Sequence, residues 1–245
     1  MNINSNGYVL GFAVGVCVAM SAALAVTANI LKPVQDAAAE FDRQKNVMLA
    51  AGLVVEGDPR PRKELEQLYK DRVTEQVIDM TKGDVDPSKT PGDVAAMKEK
   101  EREGFRVIAL AKDDKGEEVI VLPISGKGLW STLYGYLALE KDANTVRGIT
   151  FYKHGETPGL GGEVDNPNWK ALWKEDKKIL EGGELVGVAV KKGHVDKSVA
   201  RERDHMVDGL SGATITSNGV TRLVQFWLGP SGYGPYLGTL RGGRG

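Results

Sequence analysis

The feature that most constrains this chain is its uncharged N-terminus. Residues 1–31 contain no Asp, Glu, Lys or Arg, although the 245-residue chain carries 32 Lys or Arg and 33 Asp or Glu. Within this stretch, residues 8–31 form a run in which only glycines and small polar residues interrupt the apolar side chains. A helix rises about 1.5 Å per residue, so the run is long enough to cross a hydrocarbon core of about 30 Å. Because a backbone in lipid must bond to itself, we expect one transmembrane helix.

A cleaved signal peptide is the alternative explanation for this run. Ala23, Leu24 and Ala25 match the small-residue pattern of a cleavage site. However, no Lys or Arg precedes the run, and the apolar residues continue beyond that site, so we favour an uncleaved anchor. Cys17 follows Val16 and not the small residue of a lipoprotein signal. Basic and acidic residues both follow the run, so charge alone does not predict its orientation in the membrane.

The composition of the whole chain argues against several kinds of partner and site. The formal net charge is −1, so the chain lacks the basic excess with which proteins bind nucleic acid. One cysteine allows neither an intramolecular disulfide nor a cysteine-based zinc or iron–sulfur site within the chain. The histidines at positions 154, 194 and 205 do not have metal-ligand spacing. We therefore predict no nucleic-acid partner and no metal site.

The periodicity of the polar body changes from helical to alternating near residue 105. The predicted helices are residues 33–52, 62–81, 94–103, 166–176, 197–204 and a last helix through 220–227. The predicted strands are residues 105–112, 117–124, 129–139, 146–153 and 184–192. Helices followed by strands joined through short turns predict an α+β domain with a mostly antiparallel sheet and flanking helices.

These elements divide the chain into five predicted regions. They are a short N-terminal tail at 1–7, a transmembrane helix at 8–31, a helical connector at 32–93, a main domain at 94–240 and a flexible tail at 241–245.

The segment with the clearest chemical character lies just before the last helix. Residues 208–217 read Asp-Gly-Leu-Ser-Gly-Ala-Thr-Ile-Thr-Ser. Gly212 and Ala213 let backbone N–H groups approach a ligand, and a helix N-terminus offers unpaired donors that stabilise an anion by about 0.3–1 kcal/mol. The Walker lysine is missing, so a nucleoside triphosphate is not implied. The alternative is that Thr216 or Ser217 is only a helix N-cap.

The pattern Asp208-x-x-Ser211-Gly212-Ala213-Thr214 resembles the flavinylation motif of the FMN-binding domain family. In that family, a flavin transferase attaches FMN through a phosphoester bond to the final threonine, which corresponds to Thr214. The resemblance implies that Thr214 carries covalent FMN and that Ser211, Gly212 and Ala213 lie beside its phosphate. Asp208 is expected to be read by the transferase or to hold the loop, and the alternative is a local Asx-turn.

Two further segments resemble parts of the same family, whose domain would here be residues 94–240. Residues 154–161, His-Gly-Glu-Thr-Pro-Gly-Leu-Gly, are similar to a family loop beside the flavin ring. That resemblance implies cofactor contacts for Glu156, Thr157, Gly159, Leu160 and Gly161. Residues 128–131, Gly-Leu-Trp-Ser, are similar to a flavin-wall element in which Trp130 stacks on or flanks the ring. The alternatives are a Pro-Gly turn and a core tryptophan, and Trp169 and Trp173 are expected in the core.

The apolar run, the chain length and the aromatic segment 226–237 together resemble the C subunits of sodium-translocating NADH:quinone oxidoreductases. This resemblance implies a flavoprotein in the bacterial inner membrane, single-pass, with its C-terminal domain in the periplasm. The implied partners are the other members of a complex of six subunits, the flavin transferase and membrane lipid. Such a complex oxidises NADH, reduces ubiquinone to ubiquinol and moves Na+ from cytoplasm to periplasm.

The sequence limits what this chain itself contributes to such a reaction. No G-x-G-x-x-G opens a helix after a strand, so no NADH site is predicted. No acidic residue lies in the apolar run, so the run should not conduct Na+ alone. We therefore expect a redox relay without a catalytic residue. The alternatives are the G subunit of an Rnf-type ferredoxin-coupled complex, another FMN-binding membrane protein, and a non-redox membrane scaffold.

Overall fold

The computed structural model describes residues 6–242, and the chain divides into two compact units between residues 43 and 44. The first unit consists of the N-terminal part of one long helix, α1 (Asn6–Ala51). Side chains 6–40 are exposed, and α1 is the one helix in the described range that is long and apolar enough to cross a membrane. The hydroxyl of Thr27 donates to the carbonyl oxygen of Ala23 at 2.8 Å, so this polar side chain is satisfied within the helix.

Helix α1 continues past Pro33 and confirms the predicted helix over residues 33–52 to within one residue. Gly52 follows it in the left-handed conformation, with φ at 74°. The N–H of Leu53 donates to the carbonyl oxygen of Met48 at 2.9 Å, an arrangement with which many helices end. The last turns of α1 belong to the second unit and are buried at Val47, Met48, Ala50 and Ala51.

The second unit is built around a six-stranded antiparallel sheet. Its strands are β1 (Val73–Asp79), β2 (Asp84–Val85), β3 (Phe105–Lys112), β4 (Glu118–Lys127), β5 (Thr132–Glu140) and β6 (Val146–Lys153). Their order is β2-β1-β3-β4-β5-β6, and each neighbouring pair is antiparallel. The predicted α+β class, with a long apolar N-terminal helix and a mostly antiparallel sheet, is confirmed.

Short helices and strands surround the sheet. The remaining helices are α2 (Arg62–Arg72), α3 (Pro91–Ala96), α4 (Glu99–Arg102), α5 (Pro167–Ala171), α6 (Ala200–His205), α7 (Thr214–Leu228) and α8 (Gly234–Gly242). The remaining strands form two short pairs, β7 (Leu180–Glu181) with β8 (Glu184–Leu185) and β9 (Ala189–Val190) with β10 (Met206–Val207).

Strand β1 corrects the predicted helix over residues 62–81, of which only the first half, α2, is helical. Val73 and Val77 are four residues apart and therefore fit a helix as well as a strand. The β-branched residues of this stretch favour a strand, and all seven residues of β1 pair with β3. The predicted connector at 32–93 is therefore wrong as a purely helical segment, because it contributes β1 and β2 to the main sheet.

Other predicted boundaries differ from the structure for local reasons. The helix over 94–103 is two helices, α3 and α4, with extended backbone at Met97 and Lys98 between them. The strand over 129–139 begins only at Thr132, and the strand over 184–192 is reduced to β8 and β9. Helix α8 continues to Gly242 and so enters the predicted tail at 241–245, whose last three residues lie outside the described range, as do residues 1–5 of the N-terminal tail.

Helix α7 packs against β4 and thereby fixes where the motif before it lies. The indole N–H of Trp227 donates to the carbonyl oxygen of Ser125 at 2.7 Å. Two glycines allow the close approach: a Cβ at Gly219 would lie 2.4 Å from the carbonyl oxygen of Lys127, and a Cβ at Gly126 would lie 2.5 Å from the Cβ of Leu223. The N-terminus of α7 is therefore held beside the end of β4 and the turn that follows it.

Candidate functional site

Three segments that are far apart in sequence meet at the carboxylate of Glu156. Its Oε1 accepts hydrogen bonds from the backbone N–H groups of Trp130 at 2.9 Å and Ser131 at 3.1 Å. Its Oε2 accepts from the N–H of Leu129 at 3.0 Å and from the hydroxyl of Thr216 at 2.6 Å. A carboxylate offers about four acceptor positions, so these four bonds use all of them.

Glycine backbone closes around this carboxylate. A Cβ at Gly128 would lie 2.6 Å from Oε1 of Glu156, and a Cβ at Gly161 would lie 2.8 Å from Oε2. The Glu156 side chain is buried. Burial by itself raises the pKa of Glu156, but the hydroxyl of Thr216 and the three N–H donors outweigh it and hold the pKa below its ordinary value. The carboxylate is therefore ionised at neutral pH.

The loop that contains Glu156 is tied down on both sides. Nδ1 of His154 accepts the N–H of Glu156 at 3.2 Å, and its Nε2 lies 2.7 Å from a carboxylate oxygen of Asp165. The N–H of Gly155 donates to the hydroxyl of Ser131 at 2.6 Å, which joins the loop to the turn after β4. Among the predicted residues of this loop, Gly161 is buried, and Thr157, Gly159 and Leu160 are exposed.

Asp208, the first residue of the motif, is held by a different loop. Its Oδ1 accepts the N–H of Val195 at 2.8 Å, and its Oδ2 lies 2.8 Å from Nδ1 of His194. Its carbonyl oxygen accepts the indole N–H of Trp169 at 2.8 Å. These partners are distant in sequence, so Asp208 joins two loops and does not form the local Asx-turn of the alternative interpretation.

Thr214 is the first residue of α7, and its side chain is exposed. Its hydroxyl makes no hydrogen bond to any residue between 6 and 242, and the N–H groups of Thr214, Ile215 and Thr216 have no acceptor in that range either. The first helical bond of α7 runs from the N–H of Ser217 to the carbonyl oxygen of Ala213. A free hydroxyl therefore stands beside three unpaired backbone donors, which is a suitable place for a phosphate group.

The N-cap alternative for Thr216 and Ser217 is wrong, because α7 begins before them and its N-cap is Ala213. Both side chains are buried and point back to other segments. Thr216 donates to Glu156, and the hydroxyl of Ser217 accepts the N–H of Leu210 at 3.1 Å. These two bonds fix the start of α7 against the segments that contain Glu156 and Leu210.

The remaining motif residues lie at the surface next to the Glu156 loop. Ser211 and Gly212 are exposed, and Ala213 is buried. Gly212 has φ at 68°, and a Cβ there would lie 2.8 Å from Cδ2 of Leu160. The motif and the loop at 154–161 are therefore neighbours.

The three segments that meet at Glu156 carry four exposed apolar side chains, which we call the apolar rim: Leu129, Trp130, Leu160 and Ile215. Trp130 is 70% exposed, so the core alternative for this residue is wrong. Trp169 and Trp173 are buried and in edge-to-face contact, which confirms the prediction that they lie in the core. The turn after β4 thus presents an aromatic face to solvent beside Thr214's helix.

Sequence reasoning missed the roles of Thr216, His154 and His194. Thr216 lies two residues after Thr214. No sequence pattern distinguishes a threonine whose hydroxyl is buried in the first turn of a helix from one that caps the helix. His154 is the first residue of the 154–161 loop, but its contact with Asp165 appears only once the chain has folded. Within residues 6–242 the structure contains no cluster of His, Cys, Asp and Glu that would hold a metal ion.

Comparison with known proteins agrees with the geometry of the site. The FMN-binding domain family matches residues 128–229, which include all three segments that meet at Glu156. The chain is 40% identical to the C subunit of the Na(+)-translocating NADH-quinone reductase of Pseudomonas aeruginosa, over 99% of this chain and 98% of that protein. It is 36% identical to the protein of the same name from Pasteurella multocida, over 99% of this chain and 97% of that one.

Two solved structures have the same fold as this chain. The crystal structure of Shewanella oneidensis NqrC superposes with a TM-score of 0.68 at 33% identity, and 84% of this chain and 99% of that chain are covered. The crystal structure of the corresponding C subunit from Parabacteroides distasonis gives a TM-score of 0.69 at 28% identity, over 84% of this chain and 96% of the other.

Proposed function

This chain belongs to the family of Na+-translocating NADH-quinone reductase C subunits, and from that membership we propose that it carries FMN bound covalently to Thr214 through a phosphoester. The chain is a flavoprotein subunit of an NADH-quinone reductase complex and serves electron transfer. The proposal adds the attachment residue, the way in which the surrounding residues hold the flavin, and the side of the membrane.

The exposed hydroxyl of Thr214 at the start of α7 is the observation that carries the proposal. It is free to form an ester, and the N–H groups of Thr214, Ile215 and Thr216 are available to donate hydrogen bonds to the phosphate oxygens. The positive end of the helix dipole favours the negative charge of a phosphodiester at this place. Gly212 has no side chain, so the backbone here can come close to a phosphate. Its left-handed conformation also favours glycine at this position. The residues present therefore fit the phosphate end of FMN.

The apolar rim supplies surfaces of the kind that a flavin ring needs. Trp130 and Leu160 belong to the two loops that meet at Glu156, and both are exposed beside the motif. We assign them to the faces of the ring, with Thr157, Gly159 and Gly161 contributing backbone near its polar edge. FMN, when bound, accepts and releases the electrons, whereas the protein sets its position and surroundings.

The proposed cellular setting follows from the same family. The apolar part of α1 anchors the chain in the bacterial inner membrane, and the second unit lies on the periplasmic side. Its partners are the other members of the complex of six subunits, which oxidises NADH, reduces ubiquinone and moves Na+ outward. A flavin transferase loads the chain before or during assembly, and membrane lipid surrounds α1.

The family membership also decides between the alternatives left open by the sequence. Near full-length relatives with 36–40% identity are C subunits of the quinone reductase, which disfavours the G subunit of an Rnf-type complex. The match to the FMN-binding domain family disfavours a non-redox scaffold.

Co-expression with a flavin transferase tests the proposal directly. We expect the parent chain to fluoresce on a denaturing gel and the peptide that contains Thr214 to gain the mass of FMN minus water. Thr214→Ala removes the hydroxyl oxygen, so both signals should disappear while the protein still accumulates in the membrane fraction.

Thr239→Ala is the matched control, because Thr239 is also an exposed helical threonine but lies on α8, away from the motif. It should be loaded like the parent chain. Covalent FMN on the Thr214→Ala chain, or an unmodified Thr214 peptide in a fluorescent parent chain, would place the flavin elsewhere.

A further inference from the structure

We propose that Glu156 is a positioning residue that locks the turn bearing Trp130 and the first turn of α7 in place, and that it does not itself contact the flavin. The inference rests on the proposed function, since that is what makes Trp130 a flavin contact and Thr214 the attachment residue. The contacts that carry it, however, lie within the chain and can be measured without FMN.

The Glu156 carboxylate has no acceptor position left. Its two oxygens accept four hydrogen bonds, three from backbone N–H groups and one from Thr216. A carboxylate has about four such positions. The glycine backbone at Gly128 and Gly161 covers it closely on two sides. A flavin N–H or ribityl hydroxyl would have to displace an existing bond.

These bonds determine how Trp130 is presented to solvent. Three successive N–H groups, those of Leu129, Trp130 and Ser131, point inward to one carboxylate. The backbone of the turn is therefore fixed, and the Trp130 side chain is left on the outer surface. Without the carboxylate, three partly buried donors would lose their acceptor together, and the turn would lose the contact that holds it.

The same carboxylate also bonds to α7, the helix that carries the proposed attachment residue. Thr216 and Thr214 are both in the first turn of α7, but Thr216 is buried and Thr214 is exposed. The bond from Thr216 to Glu156 fixes the rotation of this turn and hence the direction of the Thr214 hydroxyl. One ionised side chain thus links the turn that bears Trp130 to the first turn of α7, whose Thr216 lies 60 residues after Glu156.

The test begins with hydrogen–deuterium exchange on the full-length, flavin-free protein in detergent, read by mass spectrometry. Glu156→Gln replaces one acceptor oxygen with an NH2 group, which cannot accept the N–H of Leu129 or its neighbours. We expect exchange in the peptide covering residues 128–131 to rise about tenfold or more, while peptides from the sheet centre are unchanged.

The matched control is Glu163→Gln. Glu163 follows in the same loop, and its carboxylate accepts only the side-chain amide of Asn166 among residues 6–242, at 2.7 Å. This variant should leave exchange at 128–131 at the parent level.

Thr216 gives a second, milder pair of variants in case Glu156→Gln loosens the whole domain. Thr216→Val keeps the shape and removes the hydroxyl, so exchange should rise in the peptide that contains the start of α7. Thr216→Ser keeps the hydroxyl and should restore the parent exchange. Loading by the flavin transferase should be about tenfold slower for Thr216→Val and close to normal for Thr216→Ser.

The outcomes separate this proposal from the proposed function. Unchanged exchange at 128–131 in Glu156→Gln, together with a shifted flavin absorption spectrum, would make Glu156 a direct flavin contact and overturn the proposal. If both the exchange at 128–131 and the flavin loading were unchanged in Glu156→Gln, Glu156 would have no positioning role. If the exchange results hold but no variant, nor the parent, acquires covalent FMN, the attachment at Thr214 fails while the locking role of Glu156 stands.

Discussion

At the scale of single residues, the motif resemblance pointed to Glu156 and Asp208 but did not predict what their carboxylate oxygens bond to. The resemblance implied a cofactor contact for Glu156, and for Asp208 recognition by the transferase or a role in holding the loop. In the structure each carboxylate is engaged by backbone and side-chain donors of the protein, at residues 13 to 60 positions away. Partners at that separation follow from the packing of loops, which periodicity and motifs do not encode.

Asp208→Asn tests the interpretation that Asp208 joins two loops. The asparagine retains an oxygen for the N–H of Val195 and loses only the charge-assisted contact with His194, whose side chain is 93% exposed. We therefore expect the free energy of unfolding near neutral pH to fall by about 1 kcal/mol or less. Urea unfolding of the full chain in detergent measures it.

The same variant should differ from the parent in acid. Burial raises the pKa of Asp208, but His194 and the N–H of Val195 outweigh it and lower the pKa overall. A lowered carboxyl pKa stabilises the fold above the unfolded pKa of about 3.9, and this stabilisation disappears as pH falls through the folded value. Asp208→Asn should therefore lose less stability than the parent chain on acidification, and an equal loss in both would contradict the assignment.

At the scale of elements, prediction succeeded where the side-chain pattern has one interpretation and failed where it has two. Strands β3 and β6 were predicted with their observed bounds, because β-branched and aromatic runs between turn residues do not suit a helix. Strand β1 was missed because Val73 and Val77 also have helical spacing. The start of β5 was missed because Glu156 accepts hydrogen bonds from residues 129–131 and holds them in a turn. The local sequence pattern does not show this distant partner.

Gly219→Ala tests how closely α7 must approach β4. The added Cβ would lie 2.4 Å from the carbonyl oxygen of Lys127, and backbone cannot move aside cheaply. We expect a loss of about 1–3 kcal/mol in the free energy of unfolding and slower flavin loading, because the start of α7 shifts with the helix. Thermal unfolding and in-gel flavin fluorescence measure the two effects.

Gly238→Ala in α8 is the matched control, because no heavy atom lies within 4 Å of a Cβ there. It should be neutral or stabilising by up to about 1 kcal/mol, the helix preference of alanine over glycine. If Gly219→Ala behaves in the same way, the close contact with β4 does not constrain α7.

At the scale of the whole molecule, the apolar run and the polar body were predicted as separate parts, and the chain does divide into two units. The division falls at residue 44, within α1, and not at the end of the apolar run. The last turns of α1 belong to the second unit because their small and apolar side chains are buried there. The sequence could not show this, since a helix that leaves a membrane and a helix that enters a core have the same periodicity.

A labelling experiment tests the periplasmic orientation. In a Cys17→Ser background, Thr239→Cys places the only thiol at an exposed position of α8. We expect a membrane-impermeant maleimide to label this chain in intact spheroplasts as completely as in lysed ones. Labelling only after lysis would put the domain in the cytoplasm, and the unlabelled Cys17→Ser parent serves as the background control.

The order of the apolar run and the motif along the chain also determines the order of events in biogenesis. The apolar part of α1 leaves the ribosome first, whereas Thr214 is added only after roughly 180 further residues. At typical bacterial synthesis rates that interval is about 10–40 s. Thr216 and Glu156 can meet only after both have been synthesised. In the proposed arrangement, a nascent chain is therefore committed to the membrane well before it has anywhere to hold its cofactor, and flavin loading falls on the exported, finished domain.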